Sequence, residues 1–139
     1  IYPDPLVPAV RGIVGPDMSQ ETMWLRSLQR FQNEIQANPN DPFAWFNLGT
    51  TLARLAQYDQ AAIAFDQART IGLPWRMLWY QFDTFRVYYE LGRYDELISL
   101  ADATIADGGE IEEIHYWKGR ALAAKSDYAS AKQSWEALW

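Results

Sequence analysis

The amino-acid sequence predicts an all-α chain of paired helices, and three observations carry that prediction. From Asp17 onward, apolar residues recur with a helical period, first at Met23, Trp24, Leu28, Phe31 and Ile35. Only short turns separate the periodic stretches: AQYD (56–59), IGLP (71–74), LGRYD (91–95), DGGE (107–110) and KSDY (125–128). The layout of one helix pair then recurs, with starts near Pro42, Leu78 and Glu112, spacings of 36 and 34 residues. No strand is indicated.

Residues 1–16, IYPDPLVPAVRGIVGP, contain four of the seven prolines and two of the eight glycines. Each proline lacks an N–H and restricts the residue before it, so this stretch reads as an extended arm or linker. Residues 17–38 read as one helix, with Asp17 or Ser19 as its cap and the turn ANPNDP as its end. From residue 39 to 139 the chain divides into three helix pairs, at about 42–77, 78–111 and 112–139. Beginning at Ile rather than Met, the sequence reads as a fragment or a processed product.

Composition narrows the function. The 139 residues are 49% hydrophobic and 22% charged, ordinary for a soluble globular chain of one-domain size. No run approaches the roughly 18 apolar residues of a membrane span. A net charge of −6 argues against nucleic acid and against anionic membrane surfaces. With no cysteine there is no disulfide, thiolate metal site or cysteine nucleophile, and cytoplasmic and exported locations both stay open.

Catalysis has little to work with. His115 is the only histidine and falls near a helix start, where a packed or capping role is expected. Glu110, Glu112 and Glu113 cluster at that same helix N-terminus, where the helix dipole favours carboxylates without any metal. No phosphate-binding glycine loop and no calcium-loop spacing occurs. The chain is therefore expected to be non-enzymatic, with no metal or cofactor.

Residues 45–68 read WFNLGTTLARLAQYDQAAIAFDQA. Trp45, Leu48, Gly49 and Leu52, followed by Tyr58, Ala61, Phe65 and Ala68, resemble the tetratricopeptide repeat. The third pair repeats the pattern with Gly119, Leu122, Ala131, Trp135 and Leu138. The second pair departs from it, with Phe85 where the glycine belongs and Ala101 where the aromatic belongs. The resemblance covers residues 39–139. It implies a right-handed superhelix of antiparallel helix pairs, with helix 17–38 as an N-terminal cap and Phe31 matching Phe65. A weaker likeness ties GLPWRMLWYQF and GRYDELISLADATI to repeat segments of bacterial proteins with a C39-like peptidase domain. That likeness would make the chain a non-catalytic accessory module of a larger enzyme.

The family resemblance also implies a concave groove lined by first helices. Its candidate peptide-binding residues are Phe43, Phe46, Thr50 and Arg54 in the first repeat, with Ala53 beside them. The second repeat supplies Trp79, Phe82, Arg86 and Tyr89, and the third supplies Tyr116 and Arg120. Seven of the sixteen residues in PWRMLWYQFDTFRVYY (74–89) are aromatic. On a continuous helix Trp75, Trp79, Phe82, Phe85 and Tyr89 share one face with Arg86, while Met77, Tyr80, Val87 and Tyr88 lie opposite. The expectation is therefore core on one side and binding surface on the other, holding a protein or peptide that is acidic or presents a free C-terminus. The chaperone-tail clamp of the family needs lysine and asparagine where Phe46 and Thr50 stand, so that ligand is not expected. Trp135, Leu138 and Trp139 suggest an uncapped C-terminal face open to oligomerisation.

Overall fold

The computed structural model describes residues 16–137 apart from Trp75, and describes only the backbone of residues 16–19, Trp79 and Tyr80. The arm at 1–15, Leu138 and Trp139 lie outside the described residues. Among those described, eight helical segments and no strand occur. They are α1 (Pro16–Ala37), α2 (Pro42–Arg54), α3 (Tyr58–Ile71), α4 (Met77–Tyr80), α5 (Asp83–Glu90), α6 (Tyr94–Gly108), α7 (Glu112–Ala124) and α8 (Tyr128–Glu136).

Local chemistry sets the ends of these helices. Helix α1 starts at Pro16, a residue suited to a first helical position, so Asp17 and Ser19 stand inside the helix rather than capping it. Asp41 caps α2 by accepting the Phe43 N–H at 3.0 Å, with Pro42 next in line. The turns within pairs share one geometry. Ala56, Gly92 and Ser126 hold equivalent places and all have positive φ, at 59°, 72° and 66°. Each turn closes with the same backbone bond, from Gln57 to Leu52 (2.8 Å), Arg93 to Tyr88 (2.8 Å) and Asp127 to Leu122 (2.9 Å).

Neighbouring helices pack in sequence: α1 on α2, α2 on α3, α5 on α6, α6 on α7, and α7 on α8. The first helices α2, α5 and α7 lie side by side, since α5 touches both α2 and α7. Small residues set the closest approach within pairs. A Cβ on Gly49 would lie 2.6 Å from the Phe65 ring, and one on Gly119 would lie 2.0 Å from the Trp135 indole nitrogen. In the middle pair the sizes are exchanged, and Phe85 and Ala101 are both fully buried. The repeat that departs most from the family pattern thus buries one large and one small residue at these two positions.

The middle repeat departs from expectation in another way. The aromatic stretch is not one helix, because Gln81 adopts an extended backbone (φ −132°, ψ 114°) between α4 and α5. The helical face drawn through Trp79, Phe82 and Tyr89 therefore does not exist as a continuous surface. Thr51, Thr70 and Thr104 each donate to the carbonyl four residues back, whereas the buried hydroxyls of Thr84, just past the interruption, and of Thr50, in the unbroken α2, have no partner.

Candidate functional site

The candidate residues separate once packing is visible. Phe46 does not reach a surface. It is 0% exposed, its ring 5.4 Å from that of Phe65, because α5 packs across α2. Ala53 is likewise buried. Phe46 is thus core, a correction to its expected place in a groove. Phe43, three residues earlier on α2, stays 44% exposed. Thr50 and Phe82 are half-buried, and the Trp79 side chain lies outside the described residues.

Two of the three candidate arginines are engaged within the fold. Arg86 donates to the Tyr58 hydroxyl at 3.0 Å and sits 3.9 Å from Asp83. Arg54 lies 3.5 Å from the other oxygen of Asp83 and stacks over the Trp24 ring at 5.8 Å. Asp83 therefore bridges α2 and α5, and its side chain is only 14% exposed.

Arg120 differs. It lies over the rings of Tyr89 (4.3 Å), Trp117 (5.2 Å) and Tyr116 (5.7 Å), and hydrogen-bonds the Tyr116 hydroxyl at 3.4 Å. Tyr89 and Trp117 are also in ring contact with each other at 5.9 Å, as are Tyr116 and Trp117 at 5.4 Å. Among the described residues no carboxylate pairs with Arg120. Tyr116 remains 41% exposed. Sequence reasoning found Tyr89, Tyr116 and Arg120 but missed Trp117, whose ring completes the cluster between α5 and α7. Its alternation with Tyr116 gave no signal, because consecutive helical residues point in different directions.

Two further expectations fare differently. His115 is packed, only 8% exposed, with neither ring nitrogen hydrogen-bonded and Nε2 3.7 Å from a Glu110 oxygen. Trp135 was expected on an open C-terminal face. It instead packs against Gly119 and donates its indole N–H to the Tyr116 carbonyl at 3.4 Å, inside its own repeat.

Sequence reasoning also missed a polar junction between the first two repeats. Tyr88, fully buried, donates its hydroxyl proton to Asp66 and accepts from Arg69 at 2.8 Å. Arg93 donates to Asp66 at 3.0 Å and lies over the Tyr88 ring at 4.2 Å. The Arg93 guanidinium also bonds Glu96, holding that carboxyl below its usual range. Burial first, then the bond to Asp66, push the Tyr88 phenol up to about 12 from 10.0. The raised value means the folded state favours the neutral phenol. That contribution is complete below pH 10 and is lost as pH rises through 12. The difference corresponds to about 2–3 kcal/mol. Urea titrations at pH 9 and pH 12 are expected to show this extra alkaline loss in the native chain and not in Tyr88→Phe. An equal loss in both would remove Tyr88 as its source.

Two family models match the chain, both described as tetratricopeptide repeat, at residues 31–62 and 82–138, together more than half of its length. The segment between the matches includes α4 and the start of the interruption at Gln81. Neither match concerns a peptidase, and no curated protein matches the chain. Repeats of this kind are generally non-catalytic scaffolds for protein interaction, and no helix of the described residues is long and apolar enough to cross a membrane. Paired helices, small-against-large contacts within the first and third pairs and both matches agree, and the chain belongs to the tetratricopeptide repeat family.

Proposed function

We propose that this scaffold binds an extended, carboxylate-bearing peptide segment across its first helices, centred on Arg120 and its aromatic neighbours. One observation carries the reading: Arg120 is held by three rings and has no carboxylate partner, unlike Arg54 and Arg86. An arginine kept in place by stacking loses little freedom on binding and offers a planar fork of donors to a carboxylate. Tyr116 and Phe43 supply exposed apolar area on the same layer of first helices, and Phe82 and Tyr89 lie partly open between them. Aromatic residues with arginine are also what binding hot spots are usually made of.

The test is enrichment of a random peptide library on the folded chain, beside Tyr116→Ala and Arg120→Ala. Each variant is expected to weaken an enriched peptide by about 2 kcal/mol, roughly thirtyfold in Kd. Circular dichroism should stay unchanged, since both side chains are partly exposed. Arg86→Ala is expected to cost stability more than affinity, because its donors are already used by Tyr58 and Asp83. Enrichment of acidic peptides that ignores Tyr116 and Arg120 would sink the proposal.

A further inference from the structure

We infer that the chain carries a second site, a groove between α1 and α2 that takes a short neutral oligosaccharide. It lies on other helices than the Arg120 cluster, and it stands apart from the peptide-binding reading above. The groove is a cavity of about 400 Å³, within the size range of small-molecule sites. Four amides line it from α1: Gln29, Gln32, Asn33 and Gln36, at the i, i+3, i+4, i+7 spacing that puts them on one helix face. Trp45 and Leu48 line it from α2, and Ile35 adds apolar surface from α1. Among the described residues, no charged side chain lines it. Helix α1 does carry charges, but Arg30 and Glu34 pair with each other at 3.4 Å on another face.

This lining selects the class of ligand. An amide side chain both donates and accepts, as a sugar hydroxyl does, so four amides can answer hydroxyls in whichever sense they present themselves. Gln29 donates to the Asn33 side-chain oxygen at 2.9 Å, which holds two of the four in place before anything binds. The Trp45 indole N–H is already given to the Pro39 carbonyl at 2.8 Å, so this residue offers its ring rather than its donor. The electron-rich face of that ring suits the C–H face of a sugar. An ionic ligand would lose its hydration and find no counter-charge here. A long peptide fits less well, because the amide stripe stops with α1. The offset that aligns Phe31 with Phe65 puts Ile63, Asp66, Gln67 and Thr70 at the matching places of α3.

The probes are maltotriose, cellotriose and triacetylchitotriose, added at millimolar concentration to the full chain while side-chain amide and indole N–H signals are followed by NMR. The expected result is saturable shifts at the four amides and Trp45 with at least one probe, at the same affinity in low and high salt. Gln32→Ala combined with Gln36→Ala should weaken that probe about tenfold or more, since two hydrogen-bonding groups are lost. Both positions are exposed and alanine is the better helix former, so the fold should survive the change. Arg120→Ala should leave the shifts as they were. No saturable shift with any probe would overturn the inference, as would shifts that the double variant keeps or that fall on Tyr116 and Arg120. Shifts at the amides with N-acetylated, amidated tetra-alanine and with no saccharide would overturn it too, and would make the groove a peptide site.

Discussion

Replacing Phe65 with alanine is expected to cost about 3–5 kcal/mol of folding stability, the largest effect of any single truncation considered. The ring is 0% exposed, 5.4 Å from Phe46, and rests on the bare backbone of Gly49. Its removal leaves a cavity where α2, α3 and the crossing α5 meet. The surrounding helices are tied by Asp83 and Tyr88 and cannot fully collapse into it. A domain of this size has only about 5–15 kcal/mol in hand, so the variant should be close to unfolding at 37 °C. Ile63→Ala on the same helix is the control, because Ile63 is 66% exposed and should change stability by less than about 0.5 kcal/mol. Urea denaturation of the two variants checks this. Equal midpoints would mean that the Phe65 contact is not the seam of the first repeat.

Gly49→Ala should also destabilise, although alanine is the better helix former by about 1 kcal/mol. A new Cβ would meet two Phe65 ring atoms at 2.6 Å, and that ring has no free space to move into. Overpacking of this kind costs about 1–3 kcal/mol, and more where the helices must separate. A net loss of about 2 kcal/mol is expected. Gly119→Ala tests the reasoning from the other end of the chain. Its Cβ would come closer still, 2.0 Å from Trp135, but Trp135 is half-buried on the last described helix and has somewhere to go. Gly49→Ala should therefore be the worse of the two by thermal denaturation, despite the longer gap. The reverse order would show that the middle of the array yields more easily than its end. Phe65→Leu added to Gly49→Ala should recover part of the loss, a coupling expected only for residues in contact.

The middle repeat shows where sequence reading succeeds and where it stops. Phe85 and Ala101 look like two separate departures from the repeat when each position is judged alone. In three dimensions both are fully buried, the large residue on α5 and the small one on α6, the reverse of Gly49 on α2 and Phe65 on α3. The interruption at Gln81 has no such local sign, since no proline or glycine lies between Trp75 and Leu91. Asp83 offers part of the reason. An acid in the first turn favours a new helix N-terminus, and its bond to Arg54 fixes that turn against α2. Arg54 is 29 residues earlier, and helical periodicity cannot report a partner at that distance.

What the sequence determined by itself is the all-helical architecture, the pairing of helices and the family, because turns, periodicity and the small-against-large contacts recur within about 35 residues. Which candidate residues remain available to a partner was decided by tertiary structure alone. Phe43 and Phe46 are the same residue type, one turn apart on α2, yet one is 44% exposed and the other 0%. Arg86 and Arg120 hold the same repeat position, yet Asp83 occupies one and aromatic rings hold the other open. Exposure and charge pairing belong to the neighbours a residue acquires on folding, and those neighbours lie on other helices.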